Sequence, residues 1–280
     1  MGFERTDWAR EAALVRPAKL TKALFADAPA VDVTRPWIPH RLLPLYGGEG
    51  FERLTAPQRL CYNHAYARQL LAEFVWAERF VIVAPLERIR RSRRLDPDQS
   101  AVLESFVSDE RHHMDFFSHL GRLATAADRP ALEAVHRPPF VIRAMMAMCA
   151  RFPVQLSFWA SASEAFEQYT IKLGQSFHRD EGVDRLFREG FVTHARDEAR
   201  HCRLDTLLGD WLRLEGAQWH AVNRRLLSAF DASYRSVDWG FDGPLRELAR
   251  RHPETADKIP SLLAEAKALR RASFLPAASE

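Results

Sequence analysis

Between Thr193 and Leu204 the chain reads THARDEARHCRL, which sets His194, Glu198 and His201 four and three residues apart. On a helix each residue turns the side chain by about 100°, so these offsets bring two imidazoles and a carboxylate onto one face. Upstream, SDERHHMDFF carries Glu110 and His113 in the spacing Glu-x-x-His, which Glu198 and His201 repeat. Carboxylates mixed with imidazoles suit iron, and with open coordination positions they suit O₂ chemistry. Carboxylates alone would lean toward magnesium or calcium, and cysteine clusters toward zinc. The competing reading of one such pair is a solvated helix face, with Glu110 grouped beside Asp109 and Arg111. Phe106, Met114 and Phe117 on the same helix argue against it, because they bring Glu110 and His113 next to the apolar side.

Such groups need long rigid elements to hold them, and four helical patterns are present. The first opens with Thr55 as N-cap and Pro57 in the first turn, and runs to about Pro85 or on to Arg91. The second starts near Pro97 and lasts to about Ala126; the third covers roughly 154–177 and the fourth about 183–214. A proline-containing stretch over 129–153 reads as broken. Residues 1–55, rich in proline and glycine, read as an irregular arm with at most short helices. Two or three shorter accessory helices are expected over 215–270, with 271–280 a loose tail. Strand and hairpin signals are nearly absent. The expectation is an all-α fold in a single domain, a four-helix bundle over 56–214 with additions at both ends.

Glu-x-x-His on the second and fourth of four long helices is the pattern of ferritin-like dimetal carboxylate bundles, which also take one glutamate from each remaining helix. Glu73 and Glu78 are available on the first, Glu164 and Glu167 on the third. Glu78 and Glu167 lie 32 and 31 residues before Glu110 and Glu198, so the two halves match; Glu73 and Glu164 give 37 and 34. Wheel position on the first helix favours Glu73, spacing favours Glu78, and both stay open at this point. Taken by spacing, the candidate metal set is Glu78, Glu110, His113, Glu167, Glu198 and His201, with His194 on the face of the last two. Asp109 and Asp197, each just before a candidate glutamate, are candidates for orienting the histidines of neighbouring helices.

His194 exceeds the ferritin-like minimum. His-x-x-x-Glu-x-x-His on the last bundle helix resembles the p-aminobenzoate N-oxygenase (AurF-type) family, in which an added histidine gives the dimetal site a third imidazole. The similarity runs from Pro57 to Leu204. WAERFVIVAP looks like that family's first bundle helix, with Glu78 in the ligand position, and SDERHHMDFF resembles its second. The stretch FHRDEGVDRLFREGFVTHARDEARH puts Glu167 in the third-helix position and His194, Glu198 and His201 in the fourth. Trp159, five residues before Glu164, has a spacing the family places before its own ligand, which keeps Glu164 in play. The arm and the residues after about 215 share no such likeness. The resemblance implies two iron ions, O₂ as co-substrate, an external electron donor, and oxidation of a small organic molecule. In the family that molecule is often an arylamine, carried toward hydroxylamine, nitroso or nitro products.

Composition bounds the alternatives. A net charge of +3 over 280 residues, with acidic and basic residues mixed, gives no argument for nucleic acid. Cys61, Cys149 and Cys202 are scattered without CxxC spacing, which points to a reducing compartment, and no apolar run reaches a membrane span; a cytoplasmic location is expected. ERIRRSRRL carries five arginines in seven residues. It reads as a solvated interhelical connection, or as a dock for an acidic carrier protein delivering a tethered substrate. Trp76, Phe158, Trp159 and Phe166 are candidates for a pocket wall or for plain core. The alternative functions are C–H hydroxylation or desaturation, ferritin-like iron oxidation, and a metal-free helical protein. A homodimer fits any of them.

Overall fold

A computed structural model of the chain describes residues 5–15, 30–128, 138–236 and 241–270. Helices account for the regular structure among the described residues, and no strand occurs there. In chain order they are α1 (Arg5–Ala13), a short α2 (Glu49–Glu52), α3 (Ala56–Ala77), α4 (Ala84–Ser92), α5 (Pro97–Ala127), α6 (Phe140–Arg151), α7 (Phe158–His178), α8 (Arg185–Glu215), α9 (His220–Ser236), α10 (Asp242–Arg251) and α11 (Ile259–Arg270). A π-helical turn, Glu78–Val83, joins α3 to α4 without a break.

The long helices begin where their caps dictate. Thr55 and Gln58 form a reciprocal capping box on α3, the Thr55 N–H donating to Gln58 Oε1 at 2.9 Å, with Pro57 in the first turn. Asp96 accepts from the Gln99 N–H at 2.9 Å at the head of α5. Asp184 caps α8, its Oδ1 accepting from the N–H groups of Leu186 at 2.9 Å and Phe187 at 3.2 Å. Its other oxygen accepts from the Asp32 N–H at 2.9 Å, so one buried carboxylate ties the N-terminal arm to the helix that carries His194, Glu198 and His201. Asn63 does the same on α3, accepting from the backbone of Trp37 and Ile38 and donating to the Ile38 carbonyl. The Trp37 ring then stacks on His64, with centroids 3.9 Å apart.

The four long helices match the expected ones. The stretch read as broken over 129–153 needs correction: Phe140–Arg151 is the helix α6, and its Ile142, Met145, Met146 and Cys149 pack into the core. Burial of this apolar face overrides the prolines that flank the segment; residues 129–137 lie outside the described residues. Within the arm the described residues carry α1, a 3₁₀ turn at His40–Leu42 and α2; residues 1–4 and 16–29 lie outside the described residues. The expected tail, 271–280, lies outside the described residues.

Apolar side chains form two clusters. One gathers the arm, most of α3, the second half of α5, the end of α7, the start of α8, α10 and α11; the other gathers α1, the π turn, α4, the first half of α5, α6, the start of α7 and the end of α8. Phe166 packs against both, and the polar cluster described below lies between them. Gly174 lets α7 and α8 come close: a Cβ built there would stand 2.2 Å from the Ala195 Cβ. A larger residue would push apart the helices that carry Glu167 and Glu198. Among the described residues no helix is long and apolar enough to cross a membrane.

Candidate metal centre

The seven predicted side chains converge at the middle of the bundle. Glu78, Glu110, His113, Glu167, His194 and His201 are fully buried and Glu198 is 1 % exposed. Glu198 stands at the centre. Its Oε1 approaches His194 Nε2 and lies 3.4 Å from His113 Nδ1, while its Oε2 is 2.6 Å from His201 Nδ1. His194 Nε2 is 3.4 Å from Glu78 Oε1. His201 Nδ1 is 2.8 Å from Glu110 Oε1 and 3.7 Å from Glu167 Oε2. Glu78 arrives there at the first position of the π turn, whose extra residue advances the following side chains around the axis; such turns recur at functional sites.

Donor atoms fall into two overlapping groups, each within 4.8 Å: Glu78, His113, His194 and Glu198, and Glu110, His113, Glu198 and His201. Glu167 belongs to neither, and joins the cluster through its approach to His201. Glu73 and Glu164, the alternatives by spacing, are elsewhere. Glu73 lines a cavity between α3 and α7, and Glu164 lines a separate cavity beside Asp205 and Arg213.

Two carboxylates face the far side of two imidazoles in a crossed arrangement. His201 on α8 has Nε2 3.5 Å from Asp109 on α5, and His113 on α5 has Nε2 3.5 Å from Asp197 on α8. Each histidine therefore turns Nδ1 toward the cluster. Arg200 binds Asp109 in turn. Arg200 is a participant that sequence reasoning missed, since its partner lies 91 positions away on another helix. Among the described residues no such carboxylate faces His194. Its ring meets Phe74 and Phe117 edge-on at 5.4 and 4.8 Å and the His113 ring at 4.4 Å.

The electrostatics follow from burial and crowding. Burial pushes the Glu78, Glu110 and Glu167 carboxyls up, and the neighbouring Glu198 charge adds to the effect, as does Glu110 for Glu78 and Glu167. Glu198 is the exception: burial raises it, but His194, His201 and His113 outweigh that and hold it well below the usual carboxylate range. Burial pulls His113 down, and Glu198, Asp197 and Glu110 more than reverse this, lifting it to about 9. His201 is lifted in the same way by Glu198 and Glu110. His194, where burial prevails, falls to about 4 and is neutral.

Metal-free, this is an expensive arrangement. Both carboxylate oxygens of Glu78, Glu110 and Glu167, and both ring nitrogens of His113 and His194, are buried without a hydrogen-bond partner. Each such group costs about 1–3 kcal/mol, more where it is charged. Divalent cations would satisfy them, and the mixed carboxylate and imidazole donors fit iron.

A model of the p-aminobenzoate N-oxygenase AurF family matches residues 24–232. The chain belongs to this family. AurF-family proteins are diiron oxygenases, oxidoreductases that use O₂, and the buried cluster of this member is compatible with a dimetal site. The family match also extends the likeness seen in the sequence, taking in the arm from residue 24 and α9 to residue 232. Comparison with curated proteins finds no match.

Beside the cluster, between α3 and α7, is a mostly apolar cavity of about 380 Å³. Its inner wall is formed by Phe74, Ala77, Ala162 and Phe166, and Ala77 and Phe166 immediately precede Glu78 and Glu167 in the chain. The Phe74 ring lies 5.0 Å from Phe166. Trp76 also lines this cavity, whereas Trp159 is core, its indole N–H donating to the Pro153 carbonyl at 2.9 Å. The arginine-rich connection is partly neutralised within the chain: Arg90 meets Glu104, Arg91 meets Glu87 and Arg93 meets Glu215.

Proposed function

We propose that the chain is a diiron N-oxygenase acting on a small arylamine held in the α3–α7 cavity. The observation that carries this reading is the set of buried carboxylates and imidazoles, most of them without a hydrogen-bond partner among the described residues, beside an apolar cavity of aromatic-ring size. Glu78, Glu110, His113, Glu167, His194, Glu198 and His201 would hold the two irons. When bound, the irons supply electrons to O₂ and the oxidising power for the substrate. The first turnover balances as amine, O₂, two electrons and two protons giving hydroxylamine and water, with the electrons coming from an external reductase or small reductant.

The rest of the work belongs to the protein. Asp109 and Asp197 orient His201 and His113 so that Nδ1 faces inward. His194 adds a third imidazole without adding negative charge, and its depressed pKa leaves its nitrogen free of a proton for ligation. Phe74, Phe117 and Phe166 keep water off the cluster, so its charges act at low dielectric. The two small residues of the inner wall, Ala77 and Ala162, leave the room through which an amino group reaches the Glu78 and Glu167 side.

The test is iron per chain after anaerobic ferrous loading, then O₂-dependent oxidation of a panel of anilines followed by mass spectrometry. About two irons and hydroxylamine or more oxidised products are expected. Ala162→Phe should keep the irons and lose turnover by at least tenfold. A chain that binds no iron, or binds it and consumes no arylamine, would overturn the reading.

A further inference from the structure

A second cavity of about 380 Å³ lies between α7, α8 and α9, and its wall carries Ser157, Ser161, Glu164 and Thr206. The exposed Arg213, His220 and Arg224 stand at its mouth. α7 divides it from the α3–α7 cavity: Ala162, Phe166 and Tyr169 face the first, whereas Ala160, Ser161 and Glu164 face the second. Asn223 fixes the outer wall. It accepts from the Phe158 N–H at 3.1 Å and donates to the Gln155 carbonyl at 3.0 Å, which ties α9 to the start of α7.

At the inner end of this cavity is Asp205, only 1 % exposed. The fully buried Ser163 hydroxyl is 3.2 Å from its Oδ1 and 3.4 Å from its Oδ2. Ser163 precedes Glu167 by one turn of α7, and Asp205 follows His201 by one turn of α8. The Ser163–Asp205 pair therefore forms the layer next to the Glu167–His201 pair, about 6 Å further along the helix axes and on the cavity side. Gly209, another turn along α8, lines the cavity too, and a Cβ built there would meet nothing within 4 Å. The way from the mouth to the carboxyl is thus left open by a residue without a side chain.

Burial pushes the Asp205 carboxyl well above the usual carboxylate range. His201 and the Ser163 hydroxyl oppose this, and Glu110 and Glu198 reinforce it. Around the cavity the ionisable groups are Glu164, Arg213, His220 and Arg224, with Arg213 paired to Asp210. A carboxyl that keeps its proton at neutral pH, set between a polar cavity and the metal-ligand layer, has the placing and the protonation state a proton relay needs. The reaction calls for one, since each turnover consumes two protons while Phe74, Phe117 and Phe166 close the aromatic side of the cluster.

We propose that Asp205, acting with Ser163, is the proton inlet of the centre, carrying protons from solvent in the α7–α8–α9 cavity to the Glu167–His201 layer. One proton moves at a time. Asp205 gives its proton to Ser163 Oγ as the Ser163 hydroxyl gives its own toward Glu167, and the ionised Asp205 then takes up another from solvent. Two passages supply the two protons of one turnover. The assignment rests on the oxygenase reading and deepens it by naming the route its protons take.

The first readout needs no turnover. Infrared spectra of the anaerobic ferrous protein at neutral pH should show a protonated-carboxyl band that exchanges in D₂O and that Asp205→Asn removes. Gly209→Met, which fills the opening and leaves the carboxyl in place, should keep the band and slow its exchange at least tenfold. With O₂ and aniline, Asp205→Asn should keep its irons, lose turnover at least tenfold and show a larger solvent isotope effect. Asp205→Glu should retain at least a third of wild-type turnover, and formate should restore Asp205→Ala at least threefold. The assignment is overturned by a spectrum without an Asp205 band, by exchange that Gly209→Met leaves unchanged, or by wild-type turnover and isotope effect in Asp205→Asn. Loss of iron from both Asp205→Asn and Asp205→Glu would also overturn it, as the mark of a structural role. A wild type that oxidises no amine sinks the oxygenase reading instead, and the infrared exchange then still decides whether Asp205 takes protons from the cavity.

Discussion

Removing the metals should turn the centre into a proton-binding site, with a pH dependence whose sign is fixed by the histidines. His113 rises from 6.5 to about 9 in the folded protein, because Glu198, Asp197 and Glu110 overcome the effect of burial. A group with a raised folded pKa lends stability that is fully present below its unfolded value and is lost as pH climbs through the folded one. The window is therefore about pH 6.5 to 9. Each tenfold gain in proton affinity on folding is worth about 1.4 kcal/mol, so His113 alone contributes roughly 3 kcal/mol across it. His201 and the raised carboxyls of Glu78, Glu110 and Glu167 act in the same direction. His194 and Glu198 have lowered values and change little in this window. Against a typical total of about 5–15 kcal/mol, a loss of this size is large. Metal binding must displace those protons, so affinity grows with pH, and saturation at a hundred times Kd adds about 2.7 kcal/mol. Urea unfolding of chelator-treated protein should show a midpoint that falls steadily from pH 6.5 to 8.5. The Mn(II)-loaded protein should show a flat or rising one. A chelator-treated protein whose stability is constant or increases over that range would refute the argument.

Two further outcomes follow from single contacts. Asp184→Ala removes the acceptor for three backbone N–H groups, those of Leu186, Phe187 and Asp32, and should cost about 2–3 kcal/mol by urea denaturation, combining a lost helix cap with an unsatisfied donor; a cost below about 0.5 kcal/mol would show that α8 and the arm are anchored otherwise. Asp197→Ala leaves His113 without the carboxylate facing its Nε2 and should weaken Mn(II) binding about 10–100-fold in a paramagnetic-resonance titration. Unchanged affinity would remove Asp197 from the orienting role.

How much was legible in the chain itself differs from residue to residue. The number and approximate length of the long helices, the cap at Thr55, and the shared face of His194, Glu198 and His201 are local properties, carried by i to i+3 and i+4 relations. The Glu110 and His113 pair is equally local. The helix α6 was not readable, because its stability comes from packing Ile142, Met145, Met146 and Cys149 against other elements and not from its own caps. Spacing and the family resemblance favoured Glu78 over Glu73, but the helical wheel opposed them for a related reason. A regular wheel favours Glu73, but the π turn beginning at Glu78 changes the rotation at that point, and only packing against α5 and α7 sustains such a turn.

The crossed partnership of Asp109 with His201 and Asp197 with His113, and the Arg200 that holds Asp109, join residues about 90 positions apart, which no spacing rule within one helix can express. So the sequence by itself determined which groups are present, and which of them share a helix face. The tertiary structure decided which faces meet, which carboxylate enters the cluster and which lines the cavity, because those outcomes depend on close packing between helices distant in the chain.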